Sequence, residues 1–164
     1  MYDCGPVSNL IYIETTIPSF YCETRADAEV RVRRKWTREW WHLPHENQEW
    51  VTSSIVAEEL ESIPNPARRE AALALVRPLR QLAYTDEVAE VVAVYLRHKL
   101  MPREALGDAD HLALASVWAC DMLVTWNCRH LANANKTSHI HRVNALLGLR
   151  TPLLVTPLEL LNRI

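Results

Sequence analysis

The chain has 164 residues, 49% of them hydrophobic and 23% charged, with a formal net charge of −2. That length and balance suit one globular domain with a core of its own and exclude a disordered or fibrous chain. Near-neutral charge also excludes nucleic-acid binding through bulk basicity, so such a contact needs a local patch. The four cysteines, Cys4, Cys22, Cys120 and Cys128, form no C-x-x-C pair and show no zinc-ligand spacing. The first residues lack a basic, apolar leader, and no segment approaches the ~20 apolar residues of a membrane span. The expectation is a cytoplasmic protein with reduced thiols and no membrane association.

Residues 1–8 read as an N-terminal extension and residues 9–164 as a single domain. Leu10-Ile11-Tyr12-Ile13 is a short apolar run that predicts a buried strand. Glu14 closes it, and Thr15-Thr16-Ile17-Pro18-Ser19 reads as a turn. Residues 23–41, rich in charge and Trp, predict a helix. A second strand is expected over 49–53. Ser53 or Ser54 then caps a helix that runs to Glu61 and is ended by Pro64 and Pro66. Residues 67–79 are helical by their Ala, Leu and Arg content, with Pro78 cutting the end.

Residues 81–84 give a third short strand. Thr85 or Asp86 caps a helix to about residue 98, with Val88, Val91, Val92 and Tyr95 on its apolar side. After a connector, residues 108–119 form the clearest helix, with Leu112, Ala115, Ser116 and Ala119 at three- and four-residue steps. Residues 122–125 are an apolar strand. A polar loop, a helix near 139–147, a strand near 153–156 and a short helix after Pro157 complete the chain. Short apolar strands alternating with helices predict an α/β fold, its parallel sheet covered on both faces.

In such sheets functional groups lie just past the carboxyl ends of the strands. Glu14, Thr15 and Thr16 follow the first strand, and Glu58 and Glu59 lie in the helix after the second. Thr125, Trp126 and Asn127 follow the fourth, while Asp108 and Asp110 open the helix that feeds it. Carboxylates gathered at one sheet edge repel one another unless a cation compensates. Oxygen donors of this kind suit hard dications, which serve phosphoryl chemistry. Only Gly5, Gly107 and Gly148 occur, so dinucleotide and P-loop fingerprints are excluded, and no G-x-S-x-G elbow exists.

Three stretches resemble motifs of PIN-domain proteins, the group that includes VapC-type toxins. They are Ile11-Tyr12-Ile13-Glu14-Thr15-Thr16, Ser53-Ser54-Ile55-Val56-Ala57-Glu58-Glu59-Leu60, and the helix opened by Asp108-Ala109-Asp110-His111 followed by Thr125-Trp126-Asn127-Cys128-Arg129-His130. The resemblance covers nearly the whole chain. It implies a three-layer α/β/α fold with a central, mainly parallel sheet of four to five strands. It also implies an Mg²⁺- or Mn²⁺-dependent endoribonuclease, the toxin of a type II pair, with RNA as substrate, a small antitoxin as partner, and a homodimer.

By position, Glu14, Glu59 and Asp108 become the acidic metal ligands and catalytic residues, with Asn127 as the fourth. Asp110 is a further ligand candidate, and Thr15, Thr125 and His111 support the site. Glu59 is chosen over Glu58 because it directly precedes Leu60; the two point about 100° apart on a helix. Asp110 lies about 200° around the helix from Asp108. The chain departs from the family pattern at Glu14, where Asp is usual, and at Asn127, which brings no charge. Those departures keep open the alternative of a catalytically degenerate module that binds RNA or protein.

Arg31, Arg33, Arg34, Lys35 and Arg38 run beside Trp36, Trp40 and Trp41. Arg34 and Lys35 are candidates for phosphate contact, with the Trp residues stacking on bases. The competing readings are a solvated face backed by packed Trp residues, or a partner surface. His130 and Lys136, in the loop after Asn127, are further substrate-binding candidates.

Overall fold

The computed structural model describes residues 8–162. The extension expected at residues 1–8 therefore lies outside the described residues except for Ser8. Five β-favouring runs become β1 (Asn9–Ile13), β2 (Gln48–Ser53), β3 (Arg80–Leu82), β4 (Met122–Val124) and β5 (Leu153–Val155). They form one sheet in the order β3-β2-β1-β4-β5, with every neighbouring pair parallel. Side chains alternate across a strand, and two apolar layers result. Tyr12, Val51 and Leu123 face one layer, while Ile11, Ile13, Val124 and Val155 face the other.

Among the described residues, eight α-helices cover the sheet: α1 (Thr16–Tyr21), α2 (Ala28–Trp41), α3 (Ser54–Glu61), α4 (Pro66–Val76), α5 (Asp86–Arg97), α6 (Leu106–Val117), α7 (Ala134–Leu146) and α8 (Pro157–Leu161). The first layer takes Val56 and Leu60 of α3, Tyr95 of α5, Leu112 of α6 and Ile140 of α7. The second takes Ile17 of α1 and Trp40 of α2, with Leu158 of α8 packed against it. The fold is thus a three-layer α/β/α sandwich around a wholly parallel sheet. No helix among the described residues is long and apolar enough to cross a membrane.

Three local expectations change. The turn expected at 15–19 is instead the helix α1. Pro18 sits in its first turn, where its missing N–H has no helical partner to lose, and Ile17 is fully buried. The helix expected from residue 23 begins only at Ala28. The Glu23 carboxylate accepts the N–H groups of Thr24 and Arg25 at 2.9 and 3.2 Å and so holds the chain in a turn. Helix α7 begins at Ala134, five residues before the expected start. Asn133 accepts the Asn135 N–H there, and the polar first turn carries little apolar periodicity.

Glu23 also receives Arg25 at 3.0 Å and Arg68 at 2.9 Å, and its side chain is 2% exposed. Burial opposes its ionisation, yet Arg25, the two backbone donors and Arg68 outweigh it and hold the carboxyl below its ordinary value. Its stabilising contribution is therefore complete above the unfolded value of about 4.3 and is lost as pH falls through the lower folded value. Glu23→Gln is expected to cost on the order of 2 kcal/mol near neutrality. In denaturant melts the gap from the unsubstituted protein should close with increasing acidity. A pH-independent gap rules this ion-pair account out.

Candidate metal centre

The strand after β1 lies on one side of it, and the strand after β4 lies on the other, so the sheet's switch point falls between these two neighbours. A crevice opens there past their carboxyl ends. Glu14 leaves β1 at that point with its N–H on the Val124 carbonyl, and Thr125 leaves β4 with its N–H on the Val155 carbonyl. Glu59 arrives from the second turn of α3, while the neighbouring Glu58 is exposed. His111 arrives from α6, fully buried.

One donor atom each from Glu14, Glu59 and His111 lie within 4.8 Å of one another. Glu14 is 3% exposed. Its Oε2 accepts the Thr16 N–H at 3.0 Å, the Thr16 hydroxyl at 2.5 Å and the Thr125 hydroxyl at 2.8 Å. Its Oε1 makes no hydrogen bond among the described residues and faces His111 Nε2 at 3.8 Å. One oxygen is therefore anchored and the other presented. Glu59 Oε2 accepts the Thr15 hydroxyl and lies 3.0 Å from His111 Nε2. The other ring nitrogen, Nδ1, lies 2.9 Å from the Tyr12 hydroxyl, which lies 2.7 Å from Ser53 Oγ.

Burial pushes the Glu14 carboxyl above its ordinary value, against the pull of His111 and of its hydroxyl donors. At Glu59 burial acts in the same sense, but the hydrogen bond and charge of His111, with the Thr15 hydroxyl, outweigh it and hold the carboxyl low. Burial lowers the His111 value; the Glu59 hydrogen bond and the charges of Glu14, Glu59 and Asp108 overcome it and hold the imidazole above normal. An imidazolium at this point neutralises charge between two carboxylates.

The donor set also fits a dication. Two carboxylates suit Mg²⁺ or Mn²⁺, and an imidazole nitrogen broadens the set toward later first-row metals. For His111 Nε2 to offer a lone pair, Nδ1 must carry the proton. The Tyr12 hydroxyl can accept it while donating to Ser53 Oγ, so the ring's orientation and tautomer are supported from behind.

Asp108 stands in the first turn of α6, half-buried and outside that tight group. It accepts the Asn127 amide at 2.7 Å. Burial raises its carboxyl, opposed by the charges of His130 and His111 and by the Asn127 bond. Asn127 Oδ1 accepts the backbone N–H groups of Arg129 at 3.2 Å and His130 at 3.0 Å. Its oxygen is engaged in a local turn and its nitrogen in Asp108, so the geometry makes Asn127 a brace. Asp110 turns to Tyr84, whose hydroxyl donates to it at 2.7 Å.

Among the expected substrate residues, Arg34 donates to the Glu23 carbonyl at 2.8 Å and Lys35 pairs with Glu39 at 3.7 Å. The nearby Trp residues pack inward: Trp40 stacks on Trp50 at 4.8 Å and Trp36 on Trp126 at 6.1 Å between centroids. Their role here is the second apolar layer. His130 lies on the loop beside Asp108, and Lys136 in the first turn of α7, which follows that loop. Sequence reasoning missed Tyr12 and Ser53 as site residues and named Thr16 only as a polar group past β1. Ser53 does stand at the N-cap of α3, as expected, but its side chain makes no cap hydrogen bond and turns to Tyr12. A polar-tipped Tyr between two Ile in a buried strand was the available signal, because its hydroxyl needs a partner.

No family model matches this sequence, and no curated protein matches it. Among solved structures, the chain is similar to VapBC2 from Rickettsia felis bound to a DNA fragment from its promoter. The match covers 90% of this chain and 98% of that one, at 12% identity and a TM-score of 0.49. The fold described above rests on its own sheet order and register.

Proposed function

We propose that this chain is a divalent-metal-dependent endoribonuclease and the toxin of a type II pair. The observation that carries the nuclease reading is the switch-point cluster, in which Glu14 Oε1 is presented beside Glu59 and His111 while Glu14 Oε2, Glu59 Oε2 and both His111 nitrogens have hydrogen-bond partners. The toxin role, its antitoxin partner and the homodimer rest on the motif resemblance.

Glu14, Glu59 and His111 would hold the ion, with Asp108 beside them. When bound, Mg²⁺ or Mn²⁺ supplies charge stabilisation at a phosphodiester and lowers the pKa of water. Thr16 and Thr125 fix the Glu14 rotamer, Thr15 fixes Glu59, and Tyr12 with Ser53 fixes His111. Asn127 aims Asp108. No side-chain nucleophile is required, in keeping with the lack of a nucleophile motif. The opposed reading, a binding module without catalysis, is favoured by His111, whose imidazolium can neutralise the carboxylates by itself.

Calorimetry with Mn²⁺ and cleavage of a mixed single-stranded RNA pool separate the two. The nuclease reading expects Mn²⁺ binding, cleavage abolished by EDTA, and a rate at least tenfold lower in Asp108→Asn. An unchanged rate in that variant removes Asp108 from the site. Failure to bind Mn²⁺ with RNA present favours the module.

A further inference from the structure

Lys136, in the first turn of α7, is a half-buried cation that forms no ion pair among the described residues. Its Nζ donates to the Leu100 carbonyl at 3.2 Å and approaches His130 Nδ1 at 3.3 Å. A lysine ammonium only donates, so His130 accepts through Nδ1 and carries its proton on Nε2. That Nε2–H has no acceptor among the described residues. Two donors, one of them charged, thus stand together with no carboxylate pairing either. Asn127 ties them to the candidate centre: one end of its amide bonds the His130 N–H at 3.0 Å, and the other bonds Asp108 at 2.7 Å.

Arg31, Arg97, Lys99, Arg103, Arg129 and Arg142 also lack an ion pair among the described residues but are exposed, whereas Lys136 is half-buried. Several more cations are matched. Arg33 pairs with Glu29, Lys35 with Glu39, Arg77 with Glu70, Arg80 with Glu49, and Arg150 with Asp121. The basic stripe of α2 is largely occupied with its own helix and neighbouring carbonyls, whereas the Lys136–His130 pair lies beside the carboxylates. A half-buried ammonium without a counter-charge is costly, and a phosphate oxygen relieves that cost by accepting the N–H that Lys136 does not give to Leu100 or His130.

We infer that Lys136, oriented by His130 and the Leu100 carbonyl, forms a subsite for a backbone phosphate of single-stranded RNA, next to the phosphodiester held at Asp108. The identity of the ligand as RNA rests on the nuclease reading. The segment after β4 then serves two ends: Asn127 in the loop orders the acid, and Lys136 at the start of α7 grips the strand.

The test is equilibrium binding of fluorescein-labelled single-stranded RNA in EDTA, by anisotropy across a KCl series. Removing one phosphate contact from a single strand lowers the slope of log K against log[salt] by about 0.7. Lys136→Met is expected to show that loss, Lys136→Arg to retain the slope, and Arg142→Met, on the same helix, to leave it unchanged. Melting curves of each variant accompany the titration. A purely structural lysine lowers the melting temperature and leaves the slope alone, which overturns the subsite. So does an equal slope loss in Arg142→Met, or the absence of RNA binding by the unsubstituted protein. Because EDTA suppresses cleavage, a Lys136-dependent slope in a protein that never cuts RNA keeps the subsite and rejects the nuclease reading.

Discussion

Glu14→Gln is expected to lower metal-dependent RNA cleavage by more than about a hundredfold and to leave the EDTA-treated protein at least as stable as before. The two halves come from the same burial. At 3% exposure the carboxylate sits where ionisation is penalised, and burial already pushes its pKa upward. A carboxamide of the same shape keeps an oxygen for the Thr16 and Thr125 donors. It removes the negative charge on the atom presented to an ion. A dication contributes several kcal/mol to phosphodiester hydrolysis. At about 1.4 kcal/mol per tenfold, losing about 3 kcal/mol of that lowers the rate by about two decades. Cleavage rates with Mn²⁺ and thermal melts in EDTA check both halves. Full activity in Glu14→Gln overturns the centre, and a large loss of stability shows the carboxylate to be structural.

Gly107→Ala should separate site geometry from stability in the opposite direction. Gly107 lies in the first turn of α6, and a Cβ built there would press into Glu59 Oε1. The obstructing atom is the end of a flexible side chain, so the backbone can accept alanine while Glu59 must swing away. Helical Gly→Ala stabilises by about 0.5–1 kcal/mol. Moving Glu59 breaks its registry with Thr15 and His111, and losses of site support typically cost about ten- to a hundredfold in metal affinity. The expected variant is therefore equally or more heat-resistant, yet weaker in Mn²⁺ binding by calorimetry. Unchanged affinity means that Glu59 holds no ion.

The parallel α/β sandwich was legible in the sequence because its signals are local. Apolar runs of three or four residues mark β1 and β4, and capping residues such as Thr85 mark helix starts. The order of Glu14, Glu59 and Asp108 along the chain, and the scarcity of glycine, pointed to acid-rich chemistry without a phosphate loop. Glu59 stands out over Glu58 because it precedes Leu60 as in the resembled motif, and helix geometry leaves room for only one of the two at the site.

Which atoms meet was beyond local pattern. Tyr12 and His111 are 99 positions apart and touch because Tyr12 pairs with Leu123 across β1 and β4 while α6 packs over them. That register turns His111 from an ordinary half-buried histidine into the middle of the carboxylates. Asn127 carries an oxygen in any sequence reading; only the folded turn shows it accepting two backbone N–H groups. The Trp-rich run looks the same on paper whether it faces RNA or the core, and the packing of α2 on the sheet sends it inward. Periodicity reports which face of an element is apolar. It carries no record of long-range register, and at this switch point long-range register decides which side chains share a site.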